Sequence, residues 1–477
     1  MKKQLLFGTA LIFASGMVLA QSNEAYVDQS GAGTNSSTVD QAGYSNYANI
    51  DQNATSSALD PNVSDVDQTG DDNNSYVDQN GAGNNDAAVS QTGNYNYSSV
   101  WSWGQDNEVD VMQLGNSNSA ADHQIGDGNA STTNQTGDYN YSHVDQYGGS
   151  GGSNYNVSTV DQTGNSHDNI VNQRGDWNTS DVDQYDGNND YSTLTQSGDY
   201  NISSVEQYMG DYNRNYATSY GDENWHQVQQ RGNRNYNRAY QNGNENTSRV
   251  KQRGDYNSNN SDQIGDLNYS RIILQLGDYN SSDADQTGDK NKSYVTQVGD
   301  DNDNLSTQTG ILNSHNQWQR GDDNSIEVTQ NDFQNLAINR QTGNENSITV
   351  DQDGYRNKSQ VWQTTDVANN FPYGLPSNYN SADVMQDGEW NDSWVGQEGD
   401  YNTAEVSQEG NYNDSDVDQI GDWNEAYTTQ DGNSNISDVD QTGDSNYSET
   451  NQWDDSNGAY TTQTGSGNYS LINQSGI

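Results

Sequence analysis

Cysteine is absent from the 477-residue sequence, which excludes disulfide bonds, thiolate nucleophiles and cysteine-based zinc sites. Basic residues are scarce: 17 Lys and Arg stand against 69 Asp and Glu, and the formal net charge is −52. Neutralising phosphate groups requires clustered Lys and Arg. This balance therefore excludes nucleic-acid binding as the main task, and it argues against docking on an anionic membrane.

Apolar residues are also few. They make up 28% of the chain, against about 45–50% in an ordinary globular domain. Low hydrophobicity with high net charge is typical of disorder, but 32 Tyr and 10 Trp with only three Pro are not. The composition indicates an ordered protein that does not rely on conventional aliphatic cores.

The first twenty residues differ from the rest of the chain. A Met-Lys-Lys start precedes an apolar run from Leu5 to Ala20, and this combination, ending on a small residue, is the pattern of a secretory signal peptide. The run is short for a membrane span. We predict a signal peptide at residues 1–20 and a secreted mature chain, residues 21–477, without membrane insertion.

One glutamine-based repeat runs through the mature chain. Of the 36 intervals between its 37 recognisable glutamines, 27 are 11 residues long. Val, Ile or Leu usually stands two positions before the glutamine, Gly two positions after it, Asn five after it, and Ser or Ala seven after it. A phase held along the whole chain is the signature of a repeat architecture.

The spacing within the repeat predicts its local structure. Ser or Ala, Val and Gln stand two positions apart, so they share one face of a β-strand while the residues between them face outward. Gly and Asn bracket a short polar segment, and both residue types tolerate positive φ. Each 11-residue half-repeat is one strand plus one turn. The predicted fold class is therefore all-β, a cross-β solenoid of about 20 two-strand coils of 22 residues.

Stacked coils place like side chains above one another in columns, about 4.8 Å apart. Glutamine amides can bond one another along such a column, and buried polar groups are costly only when they are unpaired. The predicted core ladder consists of Gln41, Gln52, Gln68, Gln79, Gln286, Gln297, Gln308, Gln319, Gln397, Gln408, Gln419, Gln430, Gln441, Val66, Val77, Val417, Asn46, Asn73, Asn402 and Asn424. The predicted turn residues are Gly43, Gly70, Gly81, Gly399 and Gly421.

Three interruptions of the period are predicted to be irregular loops, near residues 53–62, 147–156 and 364–380. Two of them contain the three prolines and the third is rich in glycine. Proline is excluded from central strands because it cannot donate to the ladder. We interpret the three segments as loops that bulge from a continuous stack; hinges between domains are the alternative.

No atypical capping repeat is visible at either end of the repeat, which begins by Gln29 and continues to Gln474. Solenoids normally carry such caps, because an end coil presents unpaired strand edges on which another chain can stack. We therefore expect end-to-end association into open-ended fibres.

The pattern Gln-x-Gly-x-x-Asn-x-Ala-x-x-x-Gln at residues 41–52, 397–408 and 419–430 resembles the curlin repeat of secreted bacterial amyloid subunits. The resemblance implies a structural subunit of an extracellular curli-like fibre on a Gram-negative bacterium, supporting biofilm matrix, adhesion and aggregation. Its implied partners are further copies of the chain, an outer-membrane curli export pore and a nucleator. The chain carries many more repeats than familiar curlins.

Acidic and aromatic residues occupy the outward positions. Asp commonly precedes the glutamine and often follows the turn glycine. We interpret these carboxylates as keeping the chain soluble, and we expect low pH, or divalent cations bound to them, to accelerate assembly. Aromatic residues recur four positions after the glutamine, where they can stack. They are Tyr95, Tyr139, Trp177, Tyr200, Tyr256, Tyr279, Trp390, Tyr401, Tyr412 and Trp423.

We predict no enzyme and no cofactor, catalytic or metal site, because catalysis needs unlike groups that converge and a repeat supplies identical ones. The histidines show neither the phase of the repeat nor a metal-ligand spacing; they are His123, His143, His167, His226 and His315. The alternatives to a fibre subunit are a monomeric secreted β-solenoid adhesin or ice-binding protein, and a surface nucleator of curli fibres.

Overall fold

A computed structural model describes residues 22–55, 61–148, 154–364 and 377–475. The chain divides into two compact units, of which unit 1 ends at Arg234 and unit 2 begins at Asn235. Within the described ranges, no helix is long and apolar enough to cross a membrane. The predicted signal peptide lies outside the described residues.

Unit 1 contains eighteen strands in its described residues. They are β1 Glu24–Gly31, β2 Asn35–Ala42, β3 Tyr47–Ala54, β4 Asn62–Thr69, β5 Asn74–Gly83, β6 Asp86–Thr92, β7 Tyr97–Gln105, β8 Glu108–Leu114, β9 Ser119–Ile125, β10 Ala130–Thr136, β11 Tyr141–Tyr147, β12 Val157–Asn165, β13 Asp168–Arg174, β14 Thr179–Asn188, β15 Tyr191–Ser197, β16 Ile202–Tyr208, β17 Arg214–Tyr220 and β18 Trp225–Arg231.

Unit 2 contains twenty-one strands in its described residues. They are β19 Tyr236–Asn242, β20 Thr247–Arg253, β21 Ser258–Ile264, β22 Tyr269–Leu276, β23 Ser281–Thr287, β24 Lys292–Val298, β25 Asp303–Ile311, β26 Ser314–Arg320, β27 Ser325–Phe333, β28 Leu336–Thr342, β29 Ser347–Tyr355, β30 Lys358–Gln363, β31 Ser381–Glu389, β32 Asp392–Glu398, β33 Thr403–Asn411, β34 Asp414–Ile420, β35 Glu425–Asp431, β36 Ile436–Thr442, β37 Tyr447–Trp453, β38 Gly458–Thr464 and β39 Tyr469–Ser475.

Alternate strands pair in parallel, so each unit has two sheets: the odd sheet of odd-numbered strands and the even sheet of even-numbered strands. Pairing is in register. Gln68 of β4 lies beside Gln91 of β6, and Val417 of β34 lies beside Val439 of β36. One odd and one even strand make a coil, and the odd series contains 20 strands. The predicted β-solenoid of about 20 two-strand coils is confirmed.

The core lies between the two sheets of each unit and is one side chain deep on either side. Strand β8 illustrates the alternation, because Val109, Val111 and Gln113 are buried while Asp110 and Met112 are exposed. Burying one such valine stabilises the fold by roughly 1.5–3 kcal/mol. Because only every second residue faces inward, a chain that is 28% hydrophobic can still fill the gap between two sheets.

The predicted irregular loops fall largely on residues 56–60, 149–153 and 365–376, which are outside the described residues. The coils that flank them keep the register of the columns. Gln352 of β29 lies beside Gln386 of β31, and the Gln352 Nε2 donates to the Gln386 Oε1 at 2.7 Å. An insertion between two coils therefore does not displace the columns on either side.

The turn glycines are required by two constraints that act together. Gly43, Gly70, Gly399 and Gly421 have φ between 109° and 120°, a region that other residues rarely adopt. A Cβ on Gly421 would also lie 2.3 Å from the carbonyl oxygen of the glycine one coil further on, Gly443. The conformation and the stacking of turns both exclude a side chain here.

Gly81 is an exception to the predicted turn role. It lies within the extended strand β5, and the positive φ of this turn, 119°, belongs to Gly83. The interval from Gln79 to the next ladder glutamine is one residue longer than usual, and the register with β7 shifts after Asn80. The extra residue shifts the left-handed residue of this turn by one position, to Asn84, and the column asparagine to Asn85.

We expect Gly421→Ala to lower the free energy of unfolding of unit 2 by at least about 2 kcal/mol, because it combines backbone strain with a steric clash. Gly458→Ala is the matched control, since a Cβ there meets nothing closer than 3.5 Å and φ is not positive. Urea unfolding followed by circular dichroism measures both. Equal losses in the two variants would contradict this account of the turn.

Candidate functional site

Within the glutamine column, the side-chain amide donates both Nε2 protons and accepts a hydrogen bond at Oε1. In unit 2 the Gln408 Nε2 donates to the Gln430 Oε1 at 2.9 Å, and the Gln408 Oε1 accepts from the Gln386 Nε2 at 2.8 Å. The second Nε2 proton goes to the carbonyl oxygen of Asp392, at 2.9 Å, on β32 of the other sheet. Each amide therefore links neighbouring coils and also ties the odd sheet to the even sheet.

The same arrangement recurs along both sheets of each unit, with Nε2–Oε1 distances of 2.7 to 3.2 Å. The predicted ladder glutamines that are 0–1% exposed are Gln52, Gln68, Gln79, Gln286, Gln297, Gln308, Gln319, Gln397, Gln408, Gln419, Gln430 and Gln441. Gln41, in the first described coil, is half-buried. The predicted valines Val66, Val77 and Val417 are at most 2% exposed.

The glutamine column of the odd sheet in unit 1 is interrupted by two serines. Ser102 lies between Gln79 and Gln124, and Ser219 lies beside Gln196. The Gln79 Nε2 instead donates to the backbone carbonyl oxygens of Val63 and Asn85. The glutamine column of the even sheet in unit 1 is not interrupted in the coils that contain Ser102 and Ser219. Its bonds from Gln91 to Gln113 and from Gln207 to Gln230 run past these two serines.

The asparagine column is a second ladder, placed where each turn enters the next strand. The Asn402 Oδ1 accepts from the backbone N–H and the Nδ2 of Asn424, at 3.0 and 3.1 Å. The Asn402 Nδ2 donates to the carbonyl oxygen of Gly421 at 2.8 Å. Asn46 and Asn73 are bonded to each other in the same way, and all four predicted asparagines are buried.

The expectation that asparagine supplies a positive φ in the turn is wrong. The left-handed residue is the one before it, as in Tyr401 with φ 60° and Trp423 with φ 61°. The asparagine backbone is instead positioned so that its N–H meets the amide oxygen of the asparagine one coil earlier. That bond requires the asparagine side chains to point into the buried column. An exposed residue in the left-handed conformation at the turn tip cannot place its side chain there.

Aromatic side chains at this left-handed position stack from coil to coil. The rings of Tyr379 and Tyr401 are 4.6 Å apart and those of Tyr401 and Trp423 are 4.2 Å apart, with planes within 4° of parallel. All ten aromatic residues predicted at the turn tips have φ near +60°. Stacking of this kind contributes about 0.5–1.5 kcal/mol per pair, which offsets the cost of a left-handed residue with a side chain.

The acidic residue after the turn glycine has a structural role that the sequence analysis did not find. The Asp422 Oδ1 accepts the backbone N–H of Asp400 at 2.9 Å, and the Asp444 Oδ1 accepts that of Asp422 at 3.1 Å. Each carboxylate thus satisfies a turn N–H of the preceding coil. The recurrence of Asp or Asn at this position is the sequence signal for this role, which goes beyond the surface charge predicted for these residues.

Three of the five histidines lie in buried columns of the repeat, although the five share no single position in it. His167 occupies the asparagine column, where its backbone N–H donates to the Asn140 Oδ1. His226 and His315 are buried in the Ser/Ala column, and burial lowers the pKa of each to about 3. His123 and His143 lie on the outer surface, where both contact Asp145.

Carboxylates on adjacent strands of the even sheet form a cluster on the outer surface of unit 2. Asp416 and Asp418 of β34 lie beside Asp438 and Asp440 of β36. Partial burial raises the pKa of Asp416 to about 7, and the charges of the other three carboxylates act in the same direction. The register that aligns the core columns therefore also brings like charges together on the surface.

The family model described as the curlin associated repeat matches residues 321–366, 378–410 and 410–443. These residues belong to unit 2 and include the turn, asparagine and glutamine columns described above. The match confirms the resemblance to curlin repeats over this part of the chain. No curated protein matches the chain.

We expect Gln408→Glu to destabilise unit 2 by roughly 3 kcal/mol or more at pH 7, because it buries a carboxylate that cannot donate to Gln430. The loss should be smaller at pH 4, where a protonated carboxyl can donate. Glu409→Gln is the matched control, because Glu409 is the neighbouring residue and is exposed. Urea unfolding at both pH values tests this, and a Gln408→Glu chain as stable as the control would refute the ladder.

We expect Asp416→Asn to stabilise unit 2 at pH 8 and to have little effect at pH 4. A carboxyl whose folded pKa is raised contributes its full stability below the unfolded value, near 4, and loses it as the pH rises through about 7. The Tm gap at pH 8 should be about 2–4 °C and should shrink in salt, because the side chain still contacts solvent.

Thermal unfolding between pH 4 and pH 8 measures this gap for Asp416→Asn. Glu409→Gln again serves as the control, because it removes a carboxylate of the same unit outside the cluster. A Tm gap that is the same at both pH values, or that appears equally in the control, would contradict the assignment to this cluster.

Proposed function

We propose that this chain, whose residues 321–443 carry curlin-associated repeats, is a structural subunit of an extracellular curli-like amyloid fibre. The observation that carries the proposal is that the core columns, which are fully buried elsewhere, are only half-buried at both ends of the described solenoid. Parallel strands with an amide ladder are the arrangement of cross-β assemblies, in which every coil can template the next.

The N-terminal end coil presents core side chains that are buried everywhere else. Val27 and Gln29 of β1 are half-buried, whereas Ile50 and Gln52, their partners on β3, are fully buried. In the described residues β1 pairs with β3 on one edge only. Another strand of the same pattern would bury this end of the columns.

The C-terminal end coil is its complement. Ile472 and Gln474 of β39 are half-buried, and Gln474 accepts the amide proton of Gln452 at 3.0 Å. The bonds between glutamine side chains run in this direction, with the Nε2 of one coil donating to the Oε1 of the following coil. The C-terminal end therefore offers an amide donor where the N-terminal end, at Gln29, offers an amide oxygen.

This polarity favours head-to-tail association of identical chains. In the continued register, Gln474 of one copy would meet Gln29 of the next, and Ile472 would meet Val27. A contact between two different surfaces of the same chain is heterologous and generates an open-ended filament. The two ends of one subunit thus supply both halves of the interface.

The proposal extends to the setting of the fibre. We propose secretion by the predicted signal peptide, passage through an outer-membrane curli export pore, and assembly with a nucleator on a Gram-negative surface, where fibres support biofilm and adhesion. No enzymatic role is proposed. Low pH and divalent cations should accelerate assembly, because both reduce repulsion between carboxylates that stack at about 4.8 Å.

We expect the purified mature chain to form fibres, visible by electron microscopy, with a cross-β reflection near 4.7–4.8 Å. Ile472→Lys should slow elongation at least tenfold, because fibre growth would bury an unpaired charge in the core column. Leu471→Lys is the matched control: Leu471 is the preceding residue and is 48% exposed on the outer face.

Both substitutions leave the other coils unchanged, so the monomer should fold in either variant. Elongation from preformed wild-type seeds, followed by thioflavin fluorescence, compares the two. A wild-type chain that stays monomeric would refute the fibre proposal and favour a monomeric adhesin or ice-binding solenoid. Equal elongation by the two variants would refute stacking through these end coils.

A further inference from the structure

Two histidines and one aspartate converge on the outer surface of the odd sheet in unit 1. The His123 Nδ1 is 3.0 Å from the Asp145 Oδ1, and the His143 Nε2 is 3.1 Å from the Asp145 Oδ2. One nitrogen of each ring and one carboxylate oxygen all lie within 4.8 Å of one another. We call these three residues the His–Asp cluster.

The coil register creates the cluster from residues that are distant in sequence. His123 of β9 lies directly beside Asp145 of β11, 22 residues later. His143 precedes Asp145 by two residues, so the two share the outer face of β11. The partner of His143 on β9 is Ala121, a residue with a small side chain.

Neighbouring aromatic rings restrict the orientation of the imidazoles. The Trp101 ring lies 5.5 Å from that of His123, and the rings of His123 and His143 are 5.2 Å apart and nearly perpendicular. The His123, His143 and Asp145 side chains retain 26%, 24% and 16% exposure. The donor atoms are therefore held in place and are still accessible from solvent.

We propose that the His–Asp cluster is a binding site for a divalent transition metal ion of the zinc class. Two imidazole nitrogens and one carboxylate oxygen are a typical three-ligand zinc set, with a water molecule completing a tetrahedron. Bonds of about 2.0–2.2 Å place tetrahedral ligands about 3.3–3.5 Å apart, so small side-chain rotations from the present separations suffice. When the metal ion binds, it replaces the ring N–H protons that lie between the two imidazoles and the Asp145 carboxylate.

The ligand chemistry distinguishes this cluster from the rest of the acidic surface. Calcium and magnesium prefer sites made of oxygen ligands alone, whereas imidazole favours zinc, copper and nickel. In the part of the chain that the structure describes, no other three His, Asp or Glu side chains bring donor atoms this close together. The carboxylate columns elsewhere offer oxygen only.

A bound ion would join two consecutive coils on their outer face. His123 belongs to β9 and the other two ligands belong to β11, so the ion would add a cross-link to the backbone pairing of these strands. An ion that binds only the folded state stabilises it by mass action. Zinc should therefore slow hydrogen exchange in β9 and β11 more than in strands of unit 2.

The test uses the monomeric mature chain and does not depend on fibre formation. Zinc titrated against a competing chromophoric chelator should reveal one tight site per chain. His123→Ala and His143→Ala should each weaken that site at least tenfold. Asp416→Asn, which removes a carboxylate from the acidic cluster on β34 and β36 of unit 2, should leave it unchanged. Circular dichroism verifies that each variant is folded.

A second measurement needs no variant. Copper(II) bound at one equivalent to the wild-type chain should show electron paramagnetic resonance splitting from two imidazole nitrogens, which carboxylate sites cannot produce. Zinc affinity that is the same in the His123→Ala/His143→Ala double variant as in the wild type would overturn the proposal. A copper spectrum without nitrogen splitting would overturn it independently.

Discussion

The fold depends on one interaction, the hydrogen bond between the side-chain amides of equivalent residues in consecutive coils. The Gln408 amide donates along the column and across to the other sheet, and it accepts from the coil before it. A buried amide is costly only when a donor or acceptor is unpaired. Here the repetition of the sequence supplies partners for most of the glutamine and asparagine amides, so a polar chain can bury them between its sheets.

The same interaction dictates the register, and the register decides what happens on the surface. Once Gln must meet Gln, every other position must also meet its equivalent, including carboxylates and aromatic rings. Stacked rings gain from this, as at Tyr401 and Trp423. Stacked carboxylates repel one another and so destabilise the fold. The carboxylate after the turn glycine is an exception when it accepts a backbone N–H, as Asp422 does. At Asp416, partial burial and then the neighbouring carboxylates raise the pKa of the side chain.

Irregular residues show how much deviation the ladder tolerates. Asp122 stands at a valine position with its side chain fully buried, where it accepts hydrogen bonds from Ser131 and Thr133, and burial raises its pKa to about 6. Ser102 interrupts one glutamine column in unit 1 while the other column continues. Because the two columns are separate, one can be broken without losing the stack.

The sequence by itself determined the strand, the turn and the 22-residue coil, because the spacing of Gln, Val and Gly is a local property with a single β interpretation. It also identified the buried side of each strand, including Val66, Val417 and the ladder glutamines. It could not assign the positive φ to Tyr401 in place of Asn402, nor the N–H acceptor role to Asp422, because both follow from contacts between coils. Only the tertiary structure brought His123 and His143 to Asp145, since their convergence requires the register between consecutive coils.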